Sequence, residues 1–127
     1  MRRAPTDVRQ QLGTRGEQLA AEHLRRLGYR ILARNHRTRW GELDLIAERC
    51  DVLAFVEVKT RRASGGAGTP FEAVTRRKQT QVRRMASSWL ATVSDRPHAD
   101  HLSFDVIGVT VDGAGRLLEL EHREGAF

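Results

Sequence analysis

The sequence has 127 residues, with 22 Lys+Arg against 16 Asp+Glu for a net charge of +6, and 39% of its residues are hydrophobic. That length sets one domain with one substantial core, and the composition excludes both a disordered chain and a bilayer-spanning run of ~20 apolar residues. A lone Cys50 excludes an internal disulfide and a cysteine zinc cluster, so a cytoplasmic protein with a polyanionic partner is expected, without a membrane.

Residues 1–12 are polar and basic and read as a flexible arm, with a single domain over 13–127. Thr14-x-x-Glu17 is a capping box that predicts a helix start. Gly16, Ala20, Leu24 and Leu27 follow at helical spacing, and Gly28 is the expected stop. Tyr29–Asn35 predicts a short strand, and Glu42–Arg49 and Val52–Arg61 predict two stronger ones. Ser64–Thr69 (SGGAGT) is a loop lacking the Gly-Lys-Ser/Thr of a nucleotide P-loop, and a flap over nucleic acid is expected there. Pro70 opens a long helix, Phe71–Val93, with an apolar stripe of Val74, Val82, Met85, Ala86, Trp89, Leu90 and Val93. Asp95 to Asp100 is a break. Leu102–Val111, the turn Asp112–Gly115 and Arg116–His122 form a closing hairpin. The order is α-β-β-β-α-β-β, and only the long helix can serve as a crossover. A mixed α/β sheet with helices packed on it follows.

The two central strands turn at Cys50-Asp51, so residues whose numbers sum to 101 should face one another. Asp44 then opposes Glu57, and Glu42 opposes Lys59, all on one face. The other face should pair Leu43 with Val58, Leu45 with Val56 and Ala47 with Ala54 in an uninterrupted apolar layer. Opposed like charges on a sheet are destabilising unless neutralised, and a hard divalent cation does so. Of the 22 basic residues only Lys59 and Lys78 are lysines; a chain that uses arginine elsewhere keeps a compact ammonium at two places. The bland reading of these carboxylates is a solvated hairpin face, ion-paired with Lys59 and Arg61.

The strings Gly41-Glu42-Leu43-Asp44-Leu45-Ile46-Ala47 and Phe55-Val56-Glu57-Val58-Lys59-Thr60-Arg61 resemble the PD-(D/E)xK nuclease superfamily. With Gly16-Glu17, Leu27-Gly28-Tyr29, Arg34-Asn35 and Val74-x-x-x-Lys78, the sequence is similar to the YraN-like family of bacterial proteins, which is itself similar to archaeal Holliday-junction resolvases. The position usually occupied by proline before the aspartate is Leu43 here. The resemblance implies a restriction-endonuclease-like fold and an Mg²⁺- or Mn²⁺-dependent DNA endonuclease acting on branched or otherwise structured DNA. It implies Asp44 and Glu57 as metal ligands, Lys59 as the catalytic lysine and Glu17 as a further acidic contributor. Arg37, Arg39, Arg61, Arg62 and Lys78 are the expected phosphate contacts, and a homodimer would suit a substrate with two strands to cut. Two other readings stand beside it: a nucleic-acid-binding module of the same fold without turnover, and a protein-interaction scaffold.

Overall fold

A computed structural model describes residues 8–63, 74–93 and 99–127. Residues 1–7 of the expected arm, the expected loop 64–69, the expected helix start at 70–73, and 94–98, largely in the expected break, lie outside the described residues. The elements are α1 (Val8–Arg26), β1 (Arg30–Thr38), β2 (Gly41–Arg49), β3 (Val52–Arg62), α2 (Arg76–Thr92), β4 (His101–Val111) and β5 (Leu117–Arg123). They follow the predicted order. One five-stranded sheet runs β1-β2-β3-β4-β5; β3 and β4 are parallel, joined by the α2 crossover, and every other neighbour is antiparallel.

The helices cover opposite faces. Leu19, Ala20, Ala21 and Leu24 of α1 pack on Leu45, Ala47, Ala54, Val56, Ile107 and Val109. Val82, Met85, Ala86 and Trp89 of α2 pack on Leu43, Ile46, Leu53, Phe55 and Phe104. β3 is buried on both faces over Leu53–Val56, and this explains its unbroken apolar run. Truncating the fully buried Phe55 to alanine would cost about 3–5 kcal/mol by the usual cavity cost.

Both helix starts differ from the sequence expectation. α1 begins at Val8, so Thr14 lies inside it and residues 8–12, expected in the arm, are helical. Leu12 packs against the α1-side core, and that anchorage extends the helix beyond the local capping signal. Its end is as read: Gly28 has φ +93°, its N–H bonds to the Arg25 carbonyl and the Tyr29 N–H to Leu24, a Schellman stop. α2 begins at Arg76, not Phe71. The Thr75 hydroxyl accepts from the Lys78 N–H at 3.1 Å and caps the helix there, which leaves Val74 outside it.

The 101 register holds from Arg49↔Val52 to Leu45↔Val56 and stops there. The β1–β2 ladder likewise pairs Arg34 with Leu45 and His36 with Leu43 but skips the Asn35/Asp44 step, and Asn35 has φ +50°. The expected uninterrupted apolar layer breaks at this point. Leu43 joins the α2-side core while Leu45 and Ala47 face α1. The physical cause is Asp44, whose Oδ2 accepts from the Val58 N–H at 2.8 Å, a side-chain bond where a backbone rung would have continued.

Candidate active site at the mouth of the β2–β3 hairpin

Where the ladder ends, the strands open and three acidic side chains converge, with Glu57 outside that triad but in electrostatic range of Asp44 and Glu17. Glu17, Glu42 and Asp44 each place a carboxylate oxygen within 4.8 Å of the others. Glu17 arrives from α1 because Gly16 lets the helix touch β3: a Cβ there would sit 1.7 Å from Thr60 Oγ1 and 2.7 Å from Thr60 Cβ. The Glu17 carboxylate bonds to the Asn35 side chain, not to a helix cap. The left-handed backbone of Asn35, a conformation asparagine tolerates, belongs to the same irregular step that frees Asp44.

Glu57 lies at the next position along the mouth. Its Oε1 is 3.4 Å from Lys78 Nζ, and its side chain is 13% exposed. The cation that pairs with Glu57 thus comes from α2, not from Arg61 or the neighbouring Lys59. Lys59 lies half-buried two residues along β3, on the Glu57 face by strand alternation. Glu42 pairs with the exposed Arg37 at 3.7 Å.

The electrostatics are those of a site short of positive charge. Burial raises Asp44 most, the Glu57 and Glu17 charges add to it, and the Val58 N–H and Lys78 offset only part; its pKa is pushed up to about 7. Burial also raises Glu17, while its Asn35 bond works the other way. An all-oxygen donor set of this kind fits a hard cation such as Mg²⁺ or Mn²⁺. Full ionisation of Asp44 at neutral pH awaits such a neutralising charge.

The remaining expected residues divide. Lys78 joins the site through Glu57, Arg37 of β1 borders it through Glu42, and Arg39, on the β1–β2 turn, lies over the Trp40 ring. Arg61 is half-buried opposite Thr110 on β4. Arg62 lines a separate groove with Arg15 and the β4–β5 turn, so the structure does not gather it with the acidic group. The ladder contains neither the expected Asp44/Glu57 pair nor the expected Glu42/Lys59 pair, and Glu42 joins a cluster in which sequence reasoning gave it no role. The same reasoning missed Asn35 as the partner of Glu17, although a left-handed asparagine inside a strand is a signal of a special step.

Comparison with known proteins now bears on this arrangement. Residues 16–109 match the model of the family described as "Uncharacterised protein family UPF0102". The chain belongs to this family. The UPF0102 protein of Mycobacterium avium is 49% identical over 124 residues, covering 94% of this chain and 92% of its own length. That of Rhodococcus opacus is 47% identical over 116 residues, 91% and 95% of the two chains. That of Symbiobacterium thermophilum reaches 52% over 106 residues, 84% and 87%. The UPF0102 match opens at Gly16, beside Glu17, and encloses Asp44, Glu57, Lys59 and Lys78. It is the YraN-like family of the sequence resemblance. Among the described residues no helix is long and apolar enough to cross a membrane.

Proposed function

We propose that this UPF0102 chain is a divalent-metal-dependent endonuclease that hydrolyses phosphodiester bonds in branched or otherwise structured DNA. The observation that carries the reading is the triad of Glu17, Glu42 and Asp44 at the opened hairpin, with the Lys78-paired Glu57 in electrostatic range of Asp44. Asp44 with Glu57, joined by Glu17 and Glu42, would hold Mg²⁺ or Mn²⁺. Such an ion, when bound, polarises a phosphate oxygen and lowers the pKa of an attacking water.

The protein's own groups do the rest. The Val58 N–H fixes Asp44 Oδ2, and Lys78 fixes Glu57, so neither carboxylate must reorganise on ion binding. Lys59 would stabilise the negative charge that grows on the phosphoryl oxygens. Arg37 at the end of β1 and Arg39 on the adjoining turn would contact backbone phosphates, which gives affinity without base readout.

The test is cleavage of labelled branched, flapped and linear DNA with Mg²⁺, Mn²⁺ or EDTA. Cleavage should require the metal and fall at least about 10³-fold in Lys59→Ala and Glu57→Gln, as expected when a group stabilising the transition state is lost. Cleavage that persists in both variants sinks the assignment. Salt-sensitive binding with no cleavage on any substrate favours the binding module, and absence of both favours the scaffold.

A further inference from the structure

Two grooves flank Trp40, at the β1–β2 turn, and neither belongs to the acidic cluster. One, of about 480 Å³, is lined by Trp40, Gln81 and the guanidinium-bearing Arg77 and Arg84 of α2. The other, of about 460 Å³, is lined by Trp40, by Arg37 of β1 and Arg39 of the turn, and by Ser88 and Thr92 further along α2. Among the described residues, no carboxylate lines either groove. This is the opposite electrostatic character from the site next to them.

The two grooves form one track. Arg77, Gln81, Arg84, Ser88 and Thr92 recur every three or four residues, so they occupy one face of α2 for about 22 Å at 1.5 Å per residue. The Gln81 side chain donates to the Trp40 carbonyl and so holds the turn against that face. Trp40 stands midway, half-buried on the α2-side core, with the Arg39 guanidinium 4.4 Å from its ring centroid. Gln81 also approaches Gly41, the residue before Glu42, so the track adjoins the acidic mouth.

We propose that this track binds a single-stranded segment of DNA, with an unpaired base stacked on Trp40 and the neighbouring phosphates held by Arg77 and Arg84 on one side and Arg37 and Arg39 on the other. The proposal rests on the DNA-directed reading above and specifies the strand form that the site takes. A stacking ring within a cationic groove is the general means of holding single strands without regard to sequence. A base that slides between Trp40 and Arg39 exchanges one π contact for two, because guanidinium planes stack on bases as well as on indoles. A duplex would use the arginines but leave the indole unused, since its bases face one another. At about 3.4 Å per stacked nucleotide, the track holds about six.

The test uses fluorescein-labelled oligo-dT of four to twelve nucleotides and a blunt duplex, in EDTA, read by anisotropy and by tryptophan quenching. Wild-type affinity for oligo-dT should level off near six nucleotides, with quenching that disappears in Trp40→Phe. Trp40→Ala should weaken oligo-dT binding about tenfold and leave duplex binding unchanged. The paired change Arg77→Ala with Arg84→Ala should weaken it by a similar factor and reduce the salt slope by about 1.4, two phosphates' worth. Both arginines are exposed, so this variant reports even where Trp40→Ala fails to fold. Absence of quenching, or wild-type oligo-dT binding in the arginine pair, overturns the track. Mn²⁺ titration calorimetry and cleavage assays on the same samples separate the two claims. Intact metal-dependent cleavage without the groove effects sinks the track alone; groove effects without metal-dependent cleavage sink the nuclease reading and leave the track standing.

Discussion

Two aspartates on one sheet, Asp105 fully buried and Asp44 half-buried, are held in opposite ways. Asp105 on β4 is fully buried, yet its carboxylate lies below the usual range. Burial pushes it up, but bonds from His122, the Ser103 hydroxyl and the Gly125 N–H outweigh that. His122 Nε2 donates to Asp105 Oδ2 at 2.9 Å; in the neutral ring, its Nδ1 then accepts from His23 Nε2 at 3.1 Å. Asp44 on β2 has one backbone donor, three nearby carboxylates and a cation already engaged by Glu57, and its pKa is pushed up to about 7. A carboxylate whose acceptor capacity is met inside the protein is a structural part. One left short of positive charge, on a chain that has arginines to spare, is the kind of place the proposed cation would fill.

The strongest way to break this contrast is to remove each charge in turn. Asp105→Asn leaves His122 buried without its anion and turns an amide donor toward neighbours that need an acceptor. It should destabilise the fold by about 3–5 kcal/mol, the cost of breaking a buried pair, and leave Mn²⁺ affinity per folded molecule unchanged. Asp44→Asn should do the reverse, with Mn²⁺ binding lost in calorimetry and the fold intact. Loss of metal binding in Asp105→Asn, or its survival in Asp44→Asn, would remove the distinction.

A smaller effect comes from the helix that serves both sites, since α1 supplies Glu17 to one and His23 to the other. Gly16→Ala cannot be relieved by a Thr60 rotamer, because Thr60 Cβ itself lies 2.7 Å from the new atom. The helix must lift. A cost of about 2–3 kcal/mol is expected in denaturant unfolding, as for an overpacked core. Mn²⁺ affinity should fall about tenfold through displacement of Glu17, the weight of one oriented ligand shell. Thr60→Gly in the same chain should restore part of both, and a double-mutant cycle measures the coupling.

What the sequence made legible was local or periodic. The 101 register follows from a two-residue turn and held through five pairs. The apolar stripe of α2 follows from its 3.6 period, and Val82, Met85, Ala86 and Trp89 are all buried. The acidic cluster was readable in outline, since Glu42 and Asp44 lie two apart, although the expected Asp44/Glu57 and Glu42/Lys59 pairs are absent from the ladder. Its detail was not, because Asp44 exchanges a ladder rung for a side-chain bond and so turns Leu43 to the other face. Period-two reasoning has no term for that step. The Lys78–Glu57 pair and the His23–His122–Asp105 chain join residues 17 to 99 positions apart, and only the packed sheet brings them together. The capping box at Thr14 was a true pattern overridden by Leu12, whose burial continues the helix through it.

The finest test of the contrast is the pH dependence of metal-free stability. Asp44 has a folded pKa near 7 against about 3.9 when unfolded, so the native state binds the extra proton between those values. Its contribution is therefore present in acid and is lost as pH rises through 7. His23 acts with the other sign. Burial first, then the His122 and Arg26 charges, lower its pKa, so stability falls as pH drops below about 6.5. In the wild type the two partly cancel between pH 8 and pH 5. Asp44→Asn removes only the first, keeps an acceptor for the Val58 N–H, and should be more stable than wild type in EDTA at pH 8 by on the order of 2 kcal/mol. The advantage should shrink to nothing below about pH 3, where wild-type Asp44 is protonated in both states. A variant that loses metal binding while gaining stability above pH 7 identifies Asp44 as strained for its task. An Asp44→Asn chain less stable than wild type at pH 8 would show instead that its carboxylate is as well satisfied as that of Asp105.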